Sequence, residues 1–361
     1  KRPLSDMTEL ELAKGVFERK SKAIKRRHKQ SRWYTKELKS LLGNDWAMFY
    51  CILGGRMTGK SYALTKFLCN QKKKKRDLVK NYWLRISDTS VKFMLANKAE
   101  KLVDPDLVRE FKLDLSTKGM NVYTHGEMFI QCMALSSMAK LKGVAFYDKD
   151  FKGEINIVLD EFQLEQGERR TSFDILYNFI GMVENIARTT KNKIRIFLVG
   201  NTLEEASSIL KAFNFLPEGF GRFYLTRKRC IIDNIEPTEE YLNDRKGSAA
   251  DILGGNEMSN YTNELRKDLS MISKQRLYNP QYVIKFSKVK GDQFIVWEDN
   301  IITRYKGQPI KGSVAMKPYL DEFYNPERRQ MIIDMFDAKA FKFDTLITLS
   351  YFQGELQKIR K

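Results

Sequence analysis

Residues 54–61 read Gly-Gly-Arg-Met-Thr-Gly-Lys-Ser, a full match to the pattern G-x-x-x-x-G-K-[ST]. Two glycines at this spacing let the backbone curl so that successive N–H groups face phosphate oxygens. Lys60 then reaches the β- and γ-phosphates, and the Ser61 hydroxyl ligates Mg²⁺. The binding set expected is Gly54, Gly55, Arg56, Met57, Thr58, Gly59, Lys60, Ser61 and Tyr62, with ATP or GTP as the ligand class. A second constellation follows later in the chain. An apolar run, Ile-Asn-Ile-Val-Leu, ends in Asp160-Glu161. Asp160 is the candidate Mg²⁺-shell carboxylate, and Glu161 the group that orients and deprotonates the attacking water. Alone, such a pair reads as a solvated acidic turn. Behind a full phosphate-loop motif it argues for hydrolysis rather than kinase chemistry. A third strand ends in Gly200-Asn201-Thr202. Asn201 is placed to touch both γ-phosphate and water, and it is equally suited to cap the next helix. A cation on the developing charge comes from Arg56 within the loop, or from Arg188 at the end of a helix, facing a neighbouring subunit. Arg169 and Arg170 are further candidates. The bland reading of each is a surface arginine, and for Arg188 a favourable charge at a helix C-terminus.

These residues need strands and helices to place them. Residues 47–53 (Ala-Met-Phe-Tyr-Cys-Ile-Leu) are apolar and β-prone, as a buried parallel strand requires. Residues 62–69 read as a helix. Further strands are expected at 81–86, 120–123, 128–134, 154–160, 194–199 and 222–225, with a hairpin around His125-Gly126. Helices are expected at 91–99, after Asp104-Pro105, and at 204–213. In 170–189, Phe173, Leu176, Ile180, Val183 and Ile186 recur at helical spacing. Residues 136–146 read as a loop. Strands alternating with helices predict a parallel α/β sheet. The division expected is 1–228 as a nucleotide-binding domain with an N-terminal helical extension, 229–274 as a helical linker, and 275–361 as a smaller α+β domain. Strands in the last domain are expected at 282–286, 294–298 and 301–305.

Composition narrows the partner. The chain has 361 residues and a formal net charge of +19, from 64 Lys+Arg against 45 Asp+Glu. The excess is clustered: residues 20–29 are dense in Lys and Arg, and Lys72, Lys73, Lys74, Lys75 and Arg76 are consecutive. Such clustering points to a polyanion, with nucleic acid the best fit. Lys140 and Lys142 are second candidates for phosphate contact. For the run at 72–76 the bland reading is a solvated loop. Cys51, Cys69, Cys132 and Cys230 form no C-x-x-C pair, and the two histidines, His28 and His125, lie apart. Reduced, cytoplasmic usage is expected, without a disulfide frame or zinc site. No apolar run reaches the length of a membrane span, and no signal peptide is expected.

Several segments together resemble a known family. They are the arginine-bearing Gly-Gly-Arg-x-x-Gly-Lys-Ser loop, a strand ending Trp83-Leu84-Arg85, a Lys-Leu-Lys-Gly segment at 140–143, Val-Leu-Asp-Glu-Phe around Asp160, and a strand ending Leu-Val-Gly-Asn-Thr. In order and spacing they resemble the DNA-packaging (encapsidation or terminase-type) ATPases of small phi29-like podoviruses, over the first two-thirds of the chain. The resemblance implies an α/β P-loop NTPase of the additional-strand type. It implies a homopentameric ring at the capsid portal that drives double-stranded DNA, in the host cytoplasm and on a viral procapsid. It implies ATP with Mg²⁺, roles for Lys60, Ser61, Asp160, Glu161 and Asn201 like those above, and Arg188 as the finger acting across subunits. A packaging RNA is a further candidate partner. The family's C-terminal domain resembles an RNase H-like nuclease. Here its first strand, Tyr-Val-Ile-Lys-Phe-Ser-Lys, contains no Asp or Glu, whereas a two-metal nuclease requires carboxylates. A vestigial, non-cleaving domain for docking or DNA gripping is expected, with Glu298 and Asp299 the acids that follow.

Other classes compete. A P-loop helicase or AAA+-type remodeller would prefer single strands or proteins. A DNA-binding scaffold using ATP only for assembly has no need of Glu161. A small-molecule kinase has no use for the positive charge or the second domain.

Overall fold

The computed structural model describes residues 34–141, 150–162, 173–187, 193–200, 208–245, 252, 269–286, 291–307, 310, 313–315 and 326–360. The chain forms two compact units: Lys1–Thr202 with Phe220–Glu264, and Leu203–Gly219 with Leu265–Lys361.

The first unit is built on β1 (Phe49–Leu53), β2 (Val79–Arg85), β3 (Leu115–Lys118), β4 (Asn121–Thr124), β5 (Glu127–Ala134), β6 (Glu154–Asp160), β7 (Lys193–Gly200), β8 (Gly221–Leu225) and β9 (Cys230–Asn234). They form one nine-stranded sheet in the order β3-β4-β5-β2-β6-β7-β1-β9-β8. From β5 to β9 every neighbouring pair is parallel, while β3/β4, β4/β5 and β8/β9 are antiparallel. The central strands are apolar almost without alternation because both faces are covered. In β6, all residues after Glu154 are buried. The helices of this unit are α1 (Tyr34–Leu42), α2 (Lys60–Lys75), α3 (Asp88–Ala99), α4 (Pro105–Phe111) and α5 (Ile175–Ala187), with α7 (Glu239–Arg245) past β9.

A polar ladder crosses three central strands. Asn81 on β2, Asn156 on β6 and Arg195 on β7 face one another in register. Asn156 Nδ2 donates to Asn81 Oδ1 at 3.0 Å, and Arg195 Nη1 donates to Asn156 Oδ1 at 3.3 Å and Glu154 Oε2 at 2.7 Å. A one-residue slip would bury these groups unpaired, at a cost of about 1–3 kcal/mol each. The ladder therefore pins the level at which β2 and β6 end, which is where the chemistry lies.

The structure adds β3 at 115–118, where no strand is expected, and a 3-10 helix at Leu135–Leu141, overlapping the stretch read as a loop, and it differs from the sequence reading in three further places. Helix α2 continues to Lys75, so the basic run begins inside a helix, where cations in the last turn favour its C-terminus. Residues 230–234, within the stretch read as linker, form β9, buried beside β1. Their Cys-Ile-Ile-Asp-Asn sequence is too short to show a period, and only pairing with β1 reveals the strand. Segment 203–219, with α6 (Ser208–Phe213), groups with the C-terminal residues rather than with the sheet preceding it.

The second unit has a five-stranded sheet in the order β13-β10-β11-β12-β14, from β10 (Pro280–Lys285), β11 (Gly291–Trp297), β12 (Ile301–Gly307), β13 (Val314–Ala315) and β14 (Lys342–Phe343). β10, β11 and β12 are an antiparallel meander, and β13 runs parallel to β10. Helices α8 (Pro326–Asp337) and α9 (Leu346–Ile359) complete it. Phe352 of α9 is fully buried and meets the rings of Phe286, Phe294, Phe336, Phe341 and Phe343 at centroid distances of 5.0–5.9 Å.

Candidate functional site at the carboxyl edge of the parallel sheet

Leu53, Gly200 and Asn234 lie level at the ends of β1, β7 and β9. One strand further on, Asp160 of β6 pairs with Val199, and Leu84 of β2 with Leu159. The carboxyl ends of parallel strands are where α/β sheets place ligands. Residues 54–59 connect β1 to α2 across this edge.

The loop turns through the left-handed region at Met57 (φ 65°) and Gly59 (φ 85°). Gly54 has a packing reason to be glycine: a Cβ there would sit 3.0 Å from Ile235 Cβ and Cδ1. Lys60 is buried, and its ammonium donates to the carbonyls of Gly54 (2.8 Å) and Gly55 (2.7 Å) and to Thr58 Oγ1 (3.3 Å). Thr58 Oγ1 donates to the Gly55 carbonyl at 3.0 Å. Burial pulls the Lys60 ammonium down to about 8, against the opposing pull of Asp160. The ammonium thus holds the loop in a ring whose carbonyls point at it. The first N–H groups of α2, a 16-residue helix with no side-chain cap, have no intrahelical partner and favour an anion.

Asp160 is buried, and burial raises its pKa while Arg85 opposes the rise. Arg85 ends β2 and pairs with Asp160 Oδ2 through Nη2 at 2.9 Å; its Nη1 pairs with Glu161. Glu161 is the first residue past β6, exposed, with φ 54°. Such a backbone costs about 1–3 kcal/mol and is a mark of functional turns. Lys60 is within electrostatic range of Asp160, Glu161 and Arg56. The structure therefore brings Arg56, Lys60, Asp160 and Glu161 to one place, with Ser61 next to Lys60 in the first turn of α2. Hard oxygen donors from Ser61 and Asp160 are the set a magnesium ion takes.

Arg85 carries no role in the reading of the sequence. Its signal is present there, since a charged residue closing an apolar strand is the same pattern that marks Asp160. Tyr241 has no such signal. Its hydroxyl donates to the carbonyl of Arg56 at 2.8 Å across 185 residues of chain.

Other candidates separate. Asn201, Arg169, Arg170, Arg188 and Lys142 lie outside the described residues, as does the Lys140 side chain. In the basic run, Lys72 pairs with Glu127 at 3.0 Å and Lys75 with Glu154 at 2.5 Å, while Lys73, Lys74 and Arg76 are exposed. Lys72 to Lys75 form the last turn of α2, which at the usual helical rise puts them about 18–22 Å from its loop end. In the second unit, Lys285 and Gln293 are buried, and Asp292 pairs with Arg304 at 2.9 Å. Among the described residues, no group of three or more His, Cys, Asp or Glu is arranged to hold a metal ion. No described helix is long and apolar enough to cross a membrane.

No family model and no curated protein matches the chain. Solved structures do. The bacteriophage Phi-29 viral genome packaging motor assembly aligns with TM-score 0.61 and 17% identity, covering 87% of this chain and 96% of that one. The Phi-28 gp11 DNA packaging motor aligns with TM-score 0.58 and 14% identity, covering 88% and 97%. The chain shares the mixed α/β fold, with its large and mostly parallel sheet, of these phage packaging motors.

Proposed function

We propose that the chain is an ATP-hydrolysing double-stranded DNA translocase that packages a viral genome into a procapsid. It works as one subunit of a ring, a pentamer by family resemblance, at the portal, with a packaging RNA as a further partner. The observation that carries this is the meeting of residues 54–61 with Asp160 and Glu161 at one sheet edge. The fold likeness to packaging motors supports the translocase over other hydrolases. The first unit is read as a P-loop NTPase of the additional-strand type. The β10–β12 meander with β13 beside β10 supports an RNase H-like reading of the second unit.

Lys60, the loop amides and the start of α2 hold the phosphates. Ser61 and Asp160 hold Mg²⁺, which supplies charge neutralisation at the phosphates. Glu161 takes the proton of the attacking water. To do so it must leave Arg85, so the Arg85–Glu161 pair is a resting arrangement. Arg56 is available to the developing charge in the same subunit, Arg188 to that of a neighbour, and Asn201 as sensor. Lys73, Lys74 and Arg76, together with Lys140 and Lys142, contact DNA phosphates without reading bases, which suits a motor that must move any sequence.

The test is steady-state ATPase activity, alone and with double-stranded DNA, single-stranded DNA or RNA, with Glu161→Gln as control. Stimulation by duplex DNA of any sequence, abolished in Glu161→Gln, is the expected result. Stimulation by single strands alone would replace the translocase with a helicase.

A further inference from the structure

Three consecutive loop carbonyls accept hydrogen bonds. Gly54 and Gly55 accept from Lys60, and Arg56 accepts from Tyr241. The first two change when Lys60 turns to a phosphate. The third does not depend on Lys60. Tyr241 sits on α7, whose start is fixed where Thr238 Oγ1 accepts from Tyr241 N at 3.2 Å. The segment before it is anchored as well: Ile235 N donates to Leu53 O at 2.8 Å, and the Ile235 side chain lies against Gly54. The loop is thus held from one side by residues 235–241.

The peptide that Tyr241 holds is the one joining Arg56 to Met57. The described residues include no cis peptide bond. Across a trans peptide the C=O and the following N–H point in opposite directions. With the Arg56 carbonyl turned to Tyr241, the Met57 N–H is turned away from α7. Met57 is also the non-glycine residue of the loop with positive φ, at 65°, a conformation that persists only where its surroundings impose it.

We propose that Tyr241 is a positioning residue of the nucleotide site: its hydroxyl fixes the Arg56–Met57 peptide so that the Met57 N–H is presented to the bound phosphates. This rests on the reading of residues 54–61 as a phosphate loop. The ligand recognised through Tyr241 is the polyphosphate chain, not the nucleoside. A free peptide would have to be ordered on binding, and the hydrogen bond removes that cost in advance.

The test is titration of the full chain with a fluorescent ATP analogue in Mg²⁺ buffer, displacement by inorganic tripolyphosphate, and the Met57 amide shift in [¹⁵N]methionine-labelled protein. Wild type is compared with Tyr241→Phe, which keeps the ring. Loss of one such bond is expected to weaken both ligands by the same factor, about 2–13-fold. The ligand-induced shift of the Met57 amide is expected to shrink. Equal affinity in Tyr241→Phe, a loss confined to the nucleotide, or an unchanged Met57 shift would each overturn the inference while leaving the phosphate-loop reading intact. A wild-type chain that binds neither ligand would overturn that reading and this inference with it.

Discussion

Arg85 Nη2 lies 2.9 Å from Asp160 Oδ2, and the other arm of the same guanidinium pairs with Glu161. One cation from the end of β2 therefore pairs with both carboxylates at the end of β6 and offsets one of their two charges. Asp160 is deeply buried, so without a cation beside it the carboxylate would be driven to protonate.

On the proposal that Asp160 holds Mg²⁺, Arg85 and the bound cation would compete for the Asp160 carboxylate. Arg85→Met should cost about 3 kcal/mol in the nucleotide-free protein, because it leaves Asp160 buried without its cation, to be either protonated or kept as an unpaired charge. The cost should shrink when Mg²⁺ and a non-hydrolysable ATP analogue are present. Thermal melts with and without that pair measure it: the ligand-induced rise in Tm should be larger in Arg85→Met than in wild type. Equal rises would show that Arg85 does not share its role with the metal.

Gly54→Ala should destabilise the protein by about 1–3 kcal/mol, the usual range for overpacking. The new methyl meets Ile235 Cβ and Cδ1, each at 3.0 Å. Ile235→Ala removes Cδ1 but keeps Cβ, so in that background the added cost of Gly54→Ala should fall without vanishing. Urea denaturation of the four proteins in the cycle reads this directly, and strict additivity would rule out the Ile235 clash as the cause.

Within the basic run, Lys73 and Lys74, which form no ion pair among the described residues, should carry DNA affinity, and the paired Lys72 and Lys75 should not. Lys73→Glu with Lys74→Glu should weaken duplex binding and lower the salt slope by about 0.9 for each phosphate the variant no longer neutralises. Lys72→Ala and Lys75→Ala, whose ammonium groups already meet Glu127 and Glu154, should change that slope little. Fluorescence anisotropy across a salt series distinguishes them; identical slopes in all variants would remove the run from the DNA interface.

Tyr34 of α1 donates to Asp233 Oδ2 of β9 at 2.8 Å. Burial raises its pKa well above 10, with Asp233 adding to the rise. The folded phenol stays neutral while the unfolded one ionises near 10. The stabilisation is therefore complete below pH 10 and is lost as the pH rises above it. Denaturation from pH 8 to 11.5 should show wild-type stability falling more steeply above pH 10 than that of Tyr34→Phe. Tyr34→Phe should also be less stable by about 1–3 kcal/mol at neutral pH, since Asp233 loses a buried donor. Parallel pH profiles would mean the phenol ionises freely in the folded protein.

Much of the site is legible in sequence because its parts are local. Residues 54–61 sit between β1 and α2, and Asp160 closes an unbroken apolar run, so spacing and strand-end position suffice to find them. β9 is not legible, because five residues carry no usable period and its status comes from pairing with β1. The limits of α2 escape for a different reason. Lysines at a helix C-terminus resemble a charged loop until the helix ends are seen to favour them.

The amino-acid sequence by itself determined the reactive groups: the glycine-rich loop with its Lys60 and Ser61, the Asp160-Glu161 pair, and the excess of positive charge. Each depends on residues close together in the chain. Tertiary structure decided which groups restrain one another. Arg85 reaches Glu161 across 76 positions, and Tyr241 reaches Arg56 across 185. It also decided which lysines are available to a polyanion, since Glu127 and Glu154 claim two of them. Such pairings follow from strand order and register, which long-range packing sets and local spacing does not encode.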